Sequence, residues 1–91
     1  MKGEIFVVLR AKSELKKILD ERGLSIRKLA EMTKYENGEG IKFETLRRLY
    51  NDDTKQYQRD TIGRVCEVLK IEIKDLLVLI DEEDKQKGDT E

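Results

Sequence analysis

The sequence predicts a mainly α-helical fold: five short helices, two of them held across a turn, with a short strand at each end. Three observations predict it. Two amphipathic segments, Ser25–Met32 and Phe43–Tyr50, each too short to be stable alone, flank a turn-rich insert from Tyr35 to Gly40. Apolar residues make up 37% and charged residues 43% of 91 residues, which suits short helices with narrow buried stripes and wide solvated faces. Comparable apolar runs lie near both ends, at Ile5–Leu9 and Leu76–Ile80.

At the first end, Ile5-Phe6-Val7-Val8-Leu9 is β-branched and aromatic, flanked by charge, and reads as a strand over about 5–10. A lone strand leaves its backbone groups unsatisfied, so it needs a partner, and the comparable segment is Leu77-Val78-Leu79-Ile80. The favoured reading pairs the two antiparallel. The alternative makes the first a loose arm and the second the end of a helix.

Lys12 to Arg22 carries Ala11, Leu15, Ile18 and Leu19 at helical spacing, with Lys12 or Ser13 near its start. Gly23 follows the last turn, where a left-handed residue ends a helix. Ser25 is then a suitable N-cap for the next helix, whose inner face is Ile26, Leu29 and Ala30. Phe43, Leu46, Leu49 and Tyr50 share one face of the third helix, and Phe43 and Tyr50 are assigned to the core. Asn51 to Gln58 is a polar loop in which Asp52 and Asp53 are expected to be solvated. A fourth helix over about Arg59–Lys70 places Ile62, Val65, Cys66 and Leu69 inward, and Cys66 is expected to be a small buried apolar group. Ile73, Leu76 and Leu77 point inward from a last turn of helix. Two short helices across a turn outline a helix-turn-helix.

The whole is one domain over 1–81, with a helical core over 12–75 and a strand over 77–80. Residues 82–91 form an acidic tail expected to be disordered. From Asp81 onward six acidic residues face two lysines, so the formal net charge of −1 divides into −4 there and +3 on residues 1–80. That balance is compatible with nucleic-acid binding without arguing for it. The chain contains no histidine, one cysteine and two serines, which excludes His/Cys metal clusters and Ser-His or Cys-His catalysis. No enzyme activity, metal or cofactor is expected. The longest apolar runs are five residues, far short of the roughly 20 that span a bilayer. With a single cysteine and no visible signal peptide, the expected compartment is the cytoplasm.

Four motifs in order resemble the lambda-repressor/Cro-like (XRE) helix-turn-helix family. Leu24-Ser25-Ile26-Arg27-Lys28-Leu29-Ala30-Glu31-Met32-Thr33 is similar to the family's opening LSxxELAExT, and Ile41–Asn51 to its ISxxTLSRLEN. Asp60-Thr61-Ile62 with Val65, Leu69 and Ile71 resembles DTLxKIxxALGV, and Ile73-Lys74-Asp75-Leu76-Leu77 resembles SIDDLL. The resemblance covers about Leu15 to Leu77. It implies a five-helix lambda-repressor-like bundle in which Ala30 lets the two motif helices cross closely, and Leu29, Leu46 and Leu49 set the angle of the second.

The resemblance further implies a transcriptional regulator of repressor or phage-regulator type. Its second motif helix would enter the major groove of double-stranded DNA, as a homodimer on a pseudo-palindromic operator. Carried over position by position, Lys42, Phe43, Glu44, Thr45, Arg47 and Arg48 are the candidates for facing DNA. Arginines suit guanine edges or phosphates, and Thr45 suits a thymine methyl or a phosphate oxygen. Asn51, Lys55, Gln56 and Arg59 match a backbone clamp, and Ser25, Arg27 and Lys28 would set the start of the preceding helix against a phosphate.

Three departures stand out. The turn is enlarged by about six residues, 35–40, with Asn37-Gly38 and Gly40 providing positive-φ positions for either an ordered hairpin or a mobile loop. Ile26 stands where a glutamine normally contacts the backbone. Phe43 and Glu44 replace small polar side chains, and Glu44 suits cytosine but opposes phosphate. The alternative function is a protein-interaction module on the same scaffold, antitoxin-like or an accessory subunit, using the 35–40 insert or the acidic tail.

Overall fold

The computed structural model describes residues Leu9–Asp81. Strand β1 (Leu9–Ser13) leads into α1 (Leu15–Arg22), α2 (Ile26–Met32), α3 (Phe43–Tyr50), α4 (Arg59–Leu69) and α5 (Ile73–Leu76), and β2 (Leu77–Asp81) follows directly. The strands pair antiparallel, with Leu9 opposite Asp81, Ala11 opposite Leu79 and Ser13 opposite Leu77. The described fold is therefore mainly helical with a two-stranded sheet, as the periodicities and the apolar ends required. No helix among the described residues is long and apolar enough to cross a membrane.

The first strand sits further along the chain than predicted. Most of the 5–10 prediction lies outside the described residues, and the observed strand runs on to Ser13. Lys12 and Ser13 therefore belong to the sheet, not to the start of α1, and Ala11 leaves the helical stripe. The reason lies in Ser13. Its amide donates to Asp52 Oδ1 at 3.0 Å and its hydroxyl accepts from the Leu15 amide at 3.2 Å. The side chain that should cap a helix from inside instead ends a strand and begins the helix two residues later.

The core is one cluster: Leu15, Ile18 and Leu19 of α1, Leu29 of α2, Leu46 and Leu49 of α3, Ile62, Val65 and Leu69 of α4, and Leu76 of α5. Each helix is too short to persist alone, so burial of these stripes against one another supplies their stability. Ala30 packs against the cluster from the second turn of α2, and Leu29, Leu46 and Leu49 are all buried, the positions that fix how α3 crosses α2. Tyr57 packs inward as well, its hydroxyl donating to the Ala11 carbonyl at 3.4 Å.

Three helices end on a left-handed residue that lets two amides fold back. Gly23 ends α1, its amide donating to the Asp20 carbonyl and that of Leu24 to Leu19. Lys70 does the same for α4 at φ 58°. Beyond α3, Asp52 adopts φ 56°, its amide donating to the Leu49 carbonyl and that of Asp53 to Arg48. Asp52 is thus no solvated loop residue. It is half-buried, accepts from the Ser13 amide, and lies 3.6 Å from the Arg10 guanidinium, tying the end of α3 to β1.

Two apolar assignments change. Ile73 is 60% exposed, because the four-residue α5 turns only Leu76 fully inward. Phe43 is 38% exposed, standing at the first position of α3 outside the core cluster.

Candidate nucleic-acid interface

The geometry is set by the first turns of α2 and α3. Ser25 caps α2, its hydroxyl oxygen accepting from the Lys28 amide at 3.0 Å, so the hydroxyl proton is still available to an acceptor such as a phosphate oxygen. Arg27 and Lys28 are exposed on the same turn. Arg27 reaches across to α3, its guanidinium 5.1 Å from the centre of the Phe43 ring, a cation–π distance that joins the two helix starts. At the head of α3, Lys42 is the N-cap residue but makes no capping bond, leaving the first-turn amides without a side-chain acceptor.

Thr45 is the pivot of the arrangement. It is exposed and lines two adjoining hollows. One, of about 910 Å³, has Lys42 and Arg59 on its walls together with Tyr35 and Glu39 of the insert. The other, of about 410 Å³, brings Arg48, Lys55 and Gln56 beside the same threonine. Residues proposed separately for the recognition helix and for the loop clamp thus share one continuous surface.

Electrostatics on this surface are partly self-neutralised. Glu44 accepts from Arg47 Nε at 3.1 Å, makes a further short bond to Arg47 Nη2, and lies 3.8 Å from Arg48 Nε. The hydrogen bond from Arg47 holds the Glu44 carboxyl below its ordinary value, and the positive charges of Arg47 and Arg48 add to that effect. Arg47 is half-buried and turned toward Glu44, whereas Arg48 is exposed. Asn51 caps the opposite end of α3, about 12 Å along the axis from Phe43, and stands apart from the first-turn group.

The insert is ordered, which decides between hairpin and loose loop. The Tyr35 amide donates to the Glu39 carbonyl and the Gly38 amide to the Tyr35 carbonyl, both at 2.8 Å. Gly38, at φ 88°, takes the positive-φ position of this three-residue hairpin, and Asn37 Oδ1 accepts from the Glu39 amide at 2.9 Å. Gly40 passes so close to the α2 end that an added Cβ would fall 2.9 Å from Lys34 Cα.

Thr61 and Arg64 were not among the DNA-facing candidates, although both line this surface. Thr61, one turn into α4, lines both hollows with Thr45, and its place next to Arg59 at a helix start was the available signal. Arg64, also on α4, binds the insert, and nothing in its sequence neighbourhood marked it.

A family model described as the Cro/C1-type HTH DNA-binding domain matches residues 14–82. No curated protein and no solved structure matches the chain.

Proposed function

We propose that this chain, which belongs to the Cro/C1-type helix-turn-helix DNA-binding family, is a small transcriptional regulator of repressor type that reads double-stranded DNA by sequence. DNA binding and a regulatory role come with the family. The finer reading is that α3 enters the major groove, with Lys42 and Thr45 toward base edges and Arg48 toward a base or phosphate. Lys55, Gln56, Arg59, Ser25, Arg27 and Lys28 then grip the flanking phosphates.

One observation carries this reading: Thr45, at the outward face of α3, lines both the hollow bearing Lys42 and Arg59 and the one bearing Arg48, Lys55 and Gln56. A phosphate backbone on either side of a groove needs basic and amide donors flanking a projecting helix, which is what this juxtaposition supplies. The regulator acts in the cytoplasm as a homodimer on a pseudo-palindrome, with half-sites about one helical turn apart. The exposed apolar side chains of the sheet, Leu9 and Leu79, offer the surface for that dimer.

Selection of duplexes from a random pool, followed by titration at several salt concentrations, tests the proposal. A selected site should emerge, with a steep salt slope that falls by about one for each phosphate-binding cation removed, as in Lys55→Ala. Arg48→Ala should weaken binding to the selected site by about tenfold, the scale of one good base or phosphate contact. Salt-insensitive or undetectable duplex binding by the folded chain sinks the reading. A monomeric mass by light scattering at micromolar concentration overturns the homodimer.

A further inference from the structure

Arg64 lines the larger hollow with Lys42 and Arg59, and it makes more interactions than any of the cations proposed to meet DNA. Its side chain is only 15% exposed although it stands on the outward half of α4. Nε donates to the Thr33 carbonyl at 3.0 Å, Nη2 to the Lys34 carbonyl at 3.3 Å, and Nη1 to Glu67 Oε1 at 2.9 Å. The guanidinium carbon sits 4.0 Å from the centre of the Tyr35 ring, a close stacking distance. Two nitrogens and the ring-facing side of the group are used at the start of the insert, while Nη1 is held by Glu67 of α4 itself.

The far side of the insert is pinned separately. Thr33, fully buried, donates its hydroxyl to the Ala30 carbonyl at 2.7 Å and accepts from the Ile41 amide at 2.9 Å. A hairpin of two paired residues is not stable in water by itself. Its shape therefore depends on what grips it, and the gripping group at its entrance is Arg64. Held this way, the hairpin walls the 910 Å³ hollow beside Lys42, Thr45 and Arg59 with Tyr35 and Glu39, and Glu36 is exposed next to that wall.

From this geometry we infer that Arg64 is a positioning residue which makes the 35–39 hairpin a specificity element of the DNA interface. The inference rests on the DNA-reading function proposed above. A fixed hairpin with the Glu39 carboxylate on its wall and that of Glu36 beside it opposes the phosphates of any duplex that approaches α3 in the wrong register, while a duplex in the right register clears it. Discrimination of this kind comes from repulsion of the wrong partner as much as from attraction to the right one. Unlocking the hairpin lets the carboxylates swing aside, so the preferred duplex loses its fixed wall and the others lose their penalty.

The test uses the full chain and two variants of Tyr35, a residue 56% exposed and outside the core, so that folding is preserved. Affinity is measured by anisotropy for a selected duplex and for a scrambled one of the same length and composition. Tyr35→Phe keeps the ring under the guanidinium and should match the unaltered chain. Tyr35→Ala should lower the ratio of selected to scrambled affinity by roughly fivefold, the scale of a lost cation–π contact. Amide exchange at Tyr35 and Gly38 should speed up alongside. Arg64→Met, which removes the carbonyl bonds as well, should lower the ratio further. An unchanged ratio in Tyr35→Ala, with or without faster exchange, overturns the inference, as does an equal loss in Tyr35→Phe. If the unaltered chain binds no duplex, the DNA-reading function fails and this inference falls with it. If it binds and only the ratio fails to move, the function stands and the inference alone is lost.

Discussion

Glu44 decides how much positive charge α3 presents. Its carboxylate takes Nε and Nη2 of Arg47 and leans on Arg48, so a phosphate arriving at either arginine competes with an ion pair already made. Glu44→Gln removes that competitor, and binding to random duplex should tighten by several-fold while preference for the selected site falls, both measurable in one anisotropy titration. The pH sign follows from the lowered carboxyl. The pair is fully present above the ordinary glutamate value and is lost as pH falls through the lowered one. A carboxyl-carbon NMR titration should place the Glu44 midpoint below that of an exposed glutamate; a midpoint in the ordinary range would refute the pairing. Cys66 tests the opposite environment. Burial, aided by the negative charge of Asp75, pushes its thiol upward. Its reaction with a disulfide reagent at pH 8 should accordingly run well below the rate of the same thiol in the unfolded chain.

At the scale of elements, the helix ends separate what the sequence disclosed from what it hid. Gly23 announced the end of α1, because only glycine adopts that backbone without cost. Asp52 and Lys70 make the same left-handed turn with side chains that give no such signal, so the turns themselves went unread although the apolar periodicity ended α3 at Tyr50 and α4 within a residue of Leu69. The two sites should respond differently to mutation. Lys70→Gly relieves backbone crowding and should raise stability by up to about 1 kcal/mol. Asp52→Ala keeps the crowding and strips the Ser13 amide of its acceptor, a loss of about 1–3 kcal/mol, whereas Asp52→Asn should retain most of the stability. Denaturant midpoints of the three variants decide this. The insert shows the same limit. Its glycines marked a reversal, but its entrance is gripped by Arg64, which binds the Thr33 and Lys34 carbonyls 31 and 30 positions back and covers the Tyr35 ring. No local pattern encodes a partner of that kind.

For the whole molecule, the legible part was the core. Leu15, Leu19, Leu29, Leu46, Val65, Leu69 and Leu76 are all buried, and all lay on apolar stripes at helical spacing. The sheet was legible as a pairing but not in position, since Ser13 is spoken for by Asp52, a contact across 39 residues. The surface was legible as chemistry only: thirteen candidates, twelve of them polar or charged, could be named, but not that Thr45 would line two hollows or that Glu44 would hold two arginines. Because one cluster serves all five helices, Leu46→Ala should cost about 2–5 kcal/mol, a large share of the roughly 5–13 kcal/mol expected for a chain of this size. Loss of helical signal and of duplex binding should then coincide on heating.

The register of the sheet has an engineering consequence. Leu9 and Asp81 are cross-strand partners, so the two ends of the described chain lie about 5 Å apart. A linker of a few residues can join them into a backbone ring without disturbing either strand. Such a ring forbids the extended forms of the unfolded chain, which by chain-entropy arguments favours the folded state by about 4 kcal/mol. A head-to-tail cyclised 9–81 should consequently melt well above its linear counterpart, with α3 still open to a duplex.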